Sequence, residues 1–77
     1  TQIDYELPVQ SRVHLAIYNV VGQLVEEMTF IEQDAGVHHF TWRPVGESGI
    51  YFCRLAATPL QGESHPYIST IKILFAK

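Results

Sequence analysis

The side chains of this 77-residue sequence that could do chemistry are four histidines, a scatter of carboxylates, one cysteine and one tryptophan. A metal site needs several nitrogen, sulfur or oxygen donors converging on one point. His38 and His39 are adjacent, so on a strand they point to opposite faces, and His14 and His65 are remote from them. No ligand spacing appears, and neither a metal nor any other cofactor is expected. His38 shares a face with Phe40 and Trp42 and is read as a hydrogen-bonded packing residue. Asp4, Glu6, Glu26, Glu27, Glu32 and Asp34 could serve glycoside hydrolysis only if a cleft held a sugar ring between two of them. A chain of this size is not expected to build that cleft, so the protein is read as non-enzymatic. Cys53 falls inside an apolar stretch and is expected to be a small buried hydrophobe, not a nucleophile. Trp42, with Tyr51 or Tyr67, could form a platform for carbohydrate. A tryptophan in a small sandwich serves the core more often, which leaves sugar binding as a lesser alternative.

Positioning these groups falls to a succession of strands. The central one is Ser48-Gly49-Ile50-Tyr51-Phe52-Cys53-Arg54-Leu55, continuing to about Ala57. Tyr51, Cys53 and Leu55 share one face, while Ile50, Phe52 and Arg54 occupy the other. Bulk on both faces suits the middle of a sheet better than an edge. Upstream, Ile3, Tyr5 and Leu7 alternate with Gln2, Asp4 and Glu6 until Pro8, and Gln10-Ser11 reads as a polar turn. A second strand carries Val13, Leu15 and Ile17. Asn19-Val20-Val21-Gly22 then has the chemistry of a tight reversal, which predicts a hairpin. Gln23 to Ile31 alternates like a strand, although Glu26-Glu27-Met28 would also fit a helix; the short span and flanking β-branched residues favour strand. Glu32 to Gly36 reads as a turn and Val37 to Trp42 as a fourth strand. Arg43 to Ser48 is expected to be a loop, as is Thr58 to Pro66, which holds two prolines and a glycine. Tyr67 to Phe75 is the last strand. Six strands at short spacing without a convincing helix predict an antiparallel sandwich, with room for a short seventh in a loop or ahead of Thr1. Trp42, Tyr51, Leu55 and Ile73 are the expected structural core.

Bulk properties narrow the function. The chain is long enough for one small domain only, whose core would supply about 3–5 kcal/mol of net stability. A net charge of -3, with Arg12, Arg43, Arg54, Lys72 and Lys77 dispersed, argues against nucleic acid. One cysteine gives no disulfide framework, and the apolar runs are too short to span a membrane as a helix. The strand pattern begins almost at Thr1, as expected for a piece of a longer protein.

The ordered set of motifs resembles the carboxy-terminal sorting domains (type A) of the type IX secretion system. The resemblance is carried by Ile3-Asp4-Tyr5-Glu6-Leu7-Pro8, by the run Val13 to Val25, by Ala35-Gly36-Val37-His38, and by Trp42. The Ser48 to Leu55 strand and the ending Thr70-Ile71-Lys72-Ile73-Leu74-Phe75-Ala76-Lys77 continue it, so it covers nearly the whole chain. It is similar also to the immunoglobulin-like domain of flagellar hook-capping proteins. Trp42 is followed by Arg43-Pro44 where many sorting domains carry Trp-Asp and a longer loop. The resemblance implies an all-β, small immunoglobulin-like antiparallel β-sandwich of six to seven strands at the end of a larger exported protein. It further implies that secretion and sorting machinery of the outer membrane recognises the domain, that cargo is joined upstream, and that the protein travels through periplasm and outer membrane to the cell surface or medium. Lys72 and Lys77, charged and close to the terminal strand, are the candidate recognition residues. The competing reading is an accessory sandwich that spaces or steadies a neighbouring enzyme domain.

Overall fold

Alternation sets the dry side of most strands, although Ala16, on the face opposite Leu15 and Ile17, is buried as well. In a computed structural model of the chain, which describes residues 2–43, 49–61 and 65–75, Ile3, Tyr5 and Leu7 of β1 (Gln2–Leu7) are buried while Gln2, Asp4 and Glu6 face outward. The same rule sets the inner sides of β2 (Ser11–Asn19), with Val13, Leu15 and Ile17, and of β5 (Gly49–Pro59), with Cys53, Leu55 and Ala57. The remaining strands are β3 (Leu24–Gln33), β4 (Gly36–Thr41) and β6 (Tyr67–Phe75). Among the described residues the protein is all-β, with six strands in two antiparallel sheets, β1-β4 and β3-β2-β5-β6, stacked as a sandwich. Their inner faces meet in one core, which also takes in Trp42 and Ile73 and is flanked by Phe30, Phe40, Tyr51 and Ile71. Burial of this apolar surface, at about 25 cal/mol per Å2, is the main force holding the sheets together.

The strand expected to be central is interior: β5 lies between β2 and β6, pairing Cys53 with Ile17 on one side and with Ile71 on the other. The ambiguous third segment is a strand, because its backbone is taken up by β2 along most of its length. Three boundaries differ from expectation by two residues or more, and β4 runs from Gly36 to Thr41 where Val37 to Trp42 was expected, leaving Trp42 just beyond its end. Ser11 is not in a turn; it opens β2, buried, with its hydroxyl donating to the Val9 carbonyl at 2.9 Å. That bond removes the cost of burying a polar group, so burial wins over the polarity of the residue. Second, β3 continues to Gln33, which shortens the turn before Gly36. Third, β5 runs on to Pro59, paired with Ser11, and the Leu60 amide donates to the Gln10 carbonyl at 3.1 Å. Proline is tolerated there because it sits at the strand's end. Most of the expected loop from Arg43 to Ser48, and part of that from Thr58 to Pro66, lie outside the described residues.

The β2–β3 reversal is held through the backbone and side chain of Asn19. Asn19 Oδ1 accepts from the amides of Val21 at 3.1 Å and Gln23 at 2.9 Å, and the Gly22 amide donates to the Asn19 carbonyl at 3.0 Å. Gly22 has φ +86, in the left-handed region, with open space where a side chain would begin. Gly22→Ala therefore meets no clash and costs only backbone strain, expected at about 1 kcal/mol in a urea titration. A change of less than about 0.5 kcal/mol, the usual range for an exposed site, would mean that the left-handed conformation is not required.

Candidate functional site: the free edge of the terminal strand

A sheet edge offers unpaired backbone donors and acceptors, and proteins usually blunt such edges. The four-stranded sheet ends in β3 on one side and β6 on the other. The β3 edge is irregular: its register against β2 slips between Ser11 and Val13 and again between Ile17 and Tyr18. It also exposes Glu26 and Glu27. Slips of this kind twist a strand and discourage further pairing. β6 has no such protection. It pairs with β5 without a slip from Gly49 opposite Phe75 to Ala57 opposite Tyr67, and among the described residues nothing pairs with its other side. Its outer face carries Ile68 and Leu74, 56% and 72% exposed, with Lys72 as the strand's only charge.

Alongside this edge runs an open groove of about 240 Å3 between β6, from Ile71 to Leu74, and the Gln2-Ile3-Asp4 end of β1. Pockets that engulf a drug-sized ligand have volumes of about 300–1,000 Å3. A smaller groove flanked by strand edges suits an extended chain better than a compact molecule.

The structure separates the expected core residues from the expected recognition residues. Trp42, Leu55 and Ile73 are buried, and Tyr51 packs against them with its ring edge-on to Trp42, centroids 4.9 Å apart. Trp42, at 3% exposure, has no face available to a sugar. Lys72 is exposed on the outer face, in register with Phe52, which is itself in register with Tyr18. Lys77 lies outside the described residues.

The histidines are dispersed over the sandwich. His14 Nε2 lies 3.0 Å from Glu27 Oε2 on the outer face of the large sheet. His38, half-buried, stacks on Tyr5 with centroids 5.5 Å apart and places Nε2 2.7 Å from the Asp34 carbonyl oxygen. His39 points the other way, its Nδ1 2.7 Å from Asp4 Oδ1, which also accepts from Gln2 Nε2 at 2.7 Å. The Gln2 hydrogen bond, followed by that of His39, holds the Asp4 carboxyl below its ordinary 3.8. A folded-state pKa below the unfolded one means that this contribution to stability is present above about pH 4 and fades as the pH falls through the folded value. Both side chains are 59% exposed, so water and salt screen the pair. Among the described residues no three of His, Cys, Asp and Glu gather to hold a metal. Sequence reading missed the Asp4–His39 contact: alternation places both side chains on outer faces, but only the β1–β4 register brings them together.

Cys53 is 0% exposed, and desolvation pushes its thiol pKa upward. Both effects suppress the thiolate. Its modification by a thiol reagent at neutral pH is expected to follow global unfolding, with the same dependence on denaturant. Rapid labelling of the folded chain in water would contradict the packing of β5.

No family model, no curated protein and no solved structure matches the chain. The likeness to sorting domains therefore rests on the ordered residues quoted above.

Proposed function

We propose that the chain is a non-catalytic sorting and secretion module, joined to an upstream cargo domain and recognised through protein contacts by the outer-membrane machinery of type IX secretion. On this reading the cargo passes through the periplasm and outer membrane to the cell surface or medium. One observation supports it most: β6 is regular, unpaired on one side among the described residues, and carries an exposed lysine on its outer face. An unpaired edge can supply affinity through backbone hydrogen bonds, while Ile68, Lys72 and Leu74 supply a side-chain pattern for a receptor to select. The order of strands and the motifs they carry agree with the same reading.

The test is a fusion of the 77-residue chain behind an inert reporter with a periplasmic export signal, expressed in a host that has the type IX machinery. The reporter is expected on the surface or in the medium. Retention in the periplasm with the domain folded would overturn the proposal and leave the accessory spacer as the better account.

A further inference from the structure

We infer that the outer face of the larger sheet is a docking surface for a protein partner whose own face combines acidic with apolar side chains. The basic residues are dispersed in the sequence, but the fold gathers three of the five on one side of the sandwich. Arg12 of β2, Arg54 of β5 and Lys72 of β6 are exposed, each next to a buried inward residue (Val13, Cys53 and Ile73), so they share the outer face. Arg54 is in register with Thr70, two residues from Lys72, which makes the two cations diagonal neighbours about 7–8 Å apart. Arg12, in register with Thr58, lies about 14 Å further along the same diagonal. None of the eight acidic residues of the chain belongs to β2, β5 or β6. The carboxylate that register places on this face is Glu27 of β3, opposite Ala16, and His14 Nε2 engages it at 3.0 Å. Among the described residues none of the three cations has an ion-pair partner. Asp4 and Glu6 lie on the outer face of the smaller sheet, so a chain of net charge -3 carries its positive charge on one side.

The neighbours of these cations decide which acidic partner fits. Tyr18 and Phe52, in register with each other and with Lys72, present half-buried rings on the same face. Ile50 is opposite Leu74 one step beyond them, and the two are 38% and 72% exposed. Arginine and aromatic residues set among apolar ones are the composition of a protein interface core. A nucleic-acid strand or a polyuronate would match the charges but leave the apolar side chains without partners, and its dense charge would be repelled by the net charge of the chain. A protein face that is both acidic and apolar matches both features. The inference rests on the sorting reading only where it makes this partner the sorting receptor; the binding chemistry stands on the face itself, and its test contains no secretion machinery.

Fluorescence anisotropy of a labelled poly(Glu,Tyr) copolymer titrated with the 77-residue chain tests it. Saturable binding is expected, weaker as salt rises and tighter than to poly-glutamate, which has the charge without the rings. Arg54→Gln with Lys72→Gln is expected to weaken it by about tenfold or more. Ala35→Glu with Thr41→Glu gives the chain the same net charge at exposed positions before and at the end of β4, and is expected to bind like the unaltered chain. Near-UV circular dichroism checks that each variant keeps its packing. No binding up to about 1 mM, the range of the weakest specific associations, would overturn the inference. So would equal losses in the two folded double variants, poly-glutamate binding as tightly as the copolymer, or tighter binding of an oligothymidylate or a polygalacturonate. A chain that fails this test yet delivers a reporter to the surface would leave the sorting reading standing.

Discussion

Leu55→Ala is expected to leave much of the chain unfolded near room temperature. Leu55 is 1% exposed, on the inner face of the interior strand β5, in register with Leu15 of β2 and Ser69 of β6. Removing a buried leucine side chain loses its transfer free energy and leaves a cavity, together about 2–5 kcal/mol. A domain of this size has only about 3–5 kcal/mol to lose. Equilibrium urea denaturation followed by Trp42 emission would measure the change, since Trp42 belongs to the same core. Leu74→Ala is the comparison: at 72% exposure it is expected to shift stability by no more than about 0.5 kcal/mol in the monomer. If the two substitutions had equal effects, the core assigned here would be wrong.

The second large effect is expected in secretion. Lys72→Glu reverses the one charge of β6 without touching the core, because Lys72 faces solvent while its neighbour Ile73 is 4% exposed. Like-charge contacts at a recognition surface cost several kcal/mol, and each 1.4 kcal/mol is tenfold in binding. Surface delivery of a reporter fused to the chain is expected to fall by about tenfold or more at unchanged stability. A point substitution is needed for this purpose. Truncation from Lys72 onward would also remove Ile73 from the core and leave the Gly49 end of β5 without its neighbour, confusing loss of fold with loss of recognition.

Much of the architecture can be read from local pattern. Alternation in Gln2–Leu7 and Val13–Ile17, the Asn19 to Gly22 reversal, and the β-branched and aromatic Gly49 to Leu55 run each carry their own physical instruction. What local pattern cannot carry is pairing. Ser11 reads as turn chemistry until its hydroxyl finds the Val9 carbonyl, and Pro59 reads as a breaker until it ends a strand opposite Ser11. The distinction between the two edges is equally nonlocal. β3 and β6 both mix apolar and polar residues on both faces, yet one is irregular and the other continuous because of how each meets its neighbour. Lys72 could be singled out from sequence because it is a charge within an apolar terminal strand. That this strand has a free side among the described residues follows only from the sheet order, and the groove that β1 forms beside it only from how the two sheets stack.

If the β6 edge is read during sorting, as proposed, reversing one exposed charge at each edge of the same sheet separates its role from that of β3. Reporter fusions carrying Lys72→Glu on β6 or Glu26→Lys on β3 would be compared for surface delivery, with matched stability confirmed by urea denaturation. Loss of delivery is expected for the β6 substitution and near-normal delivery for the β3 substitution. Equal delivery of the two folded fusions would contradict that proposal.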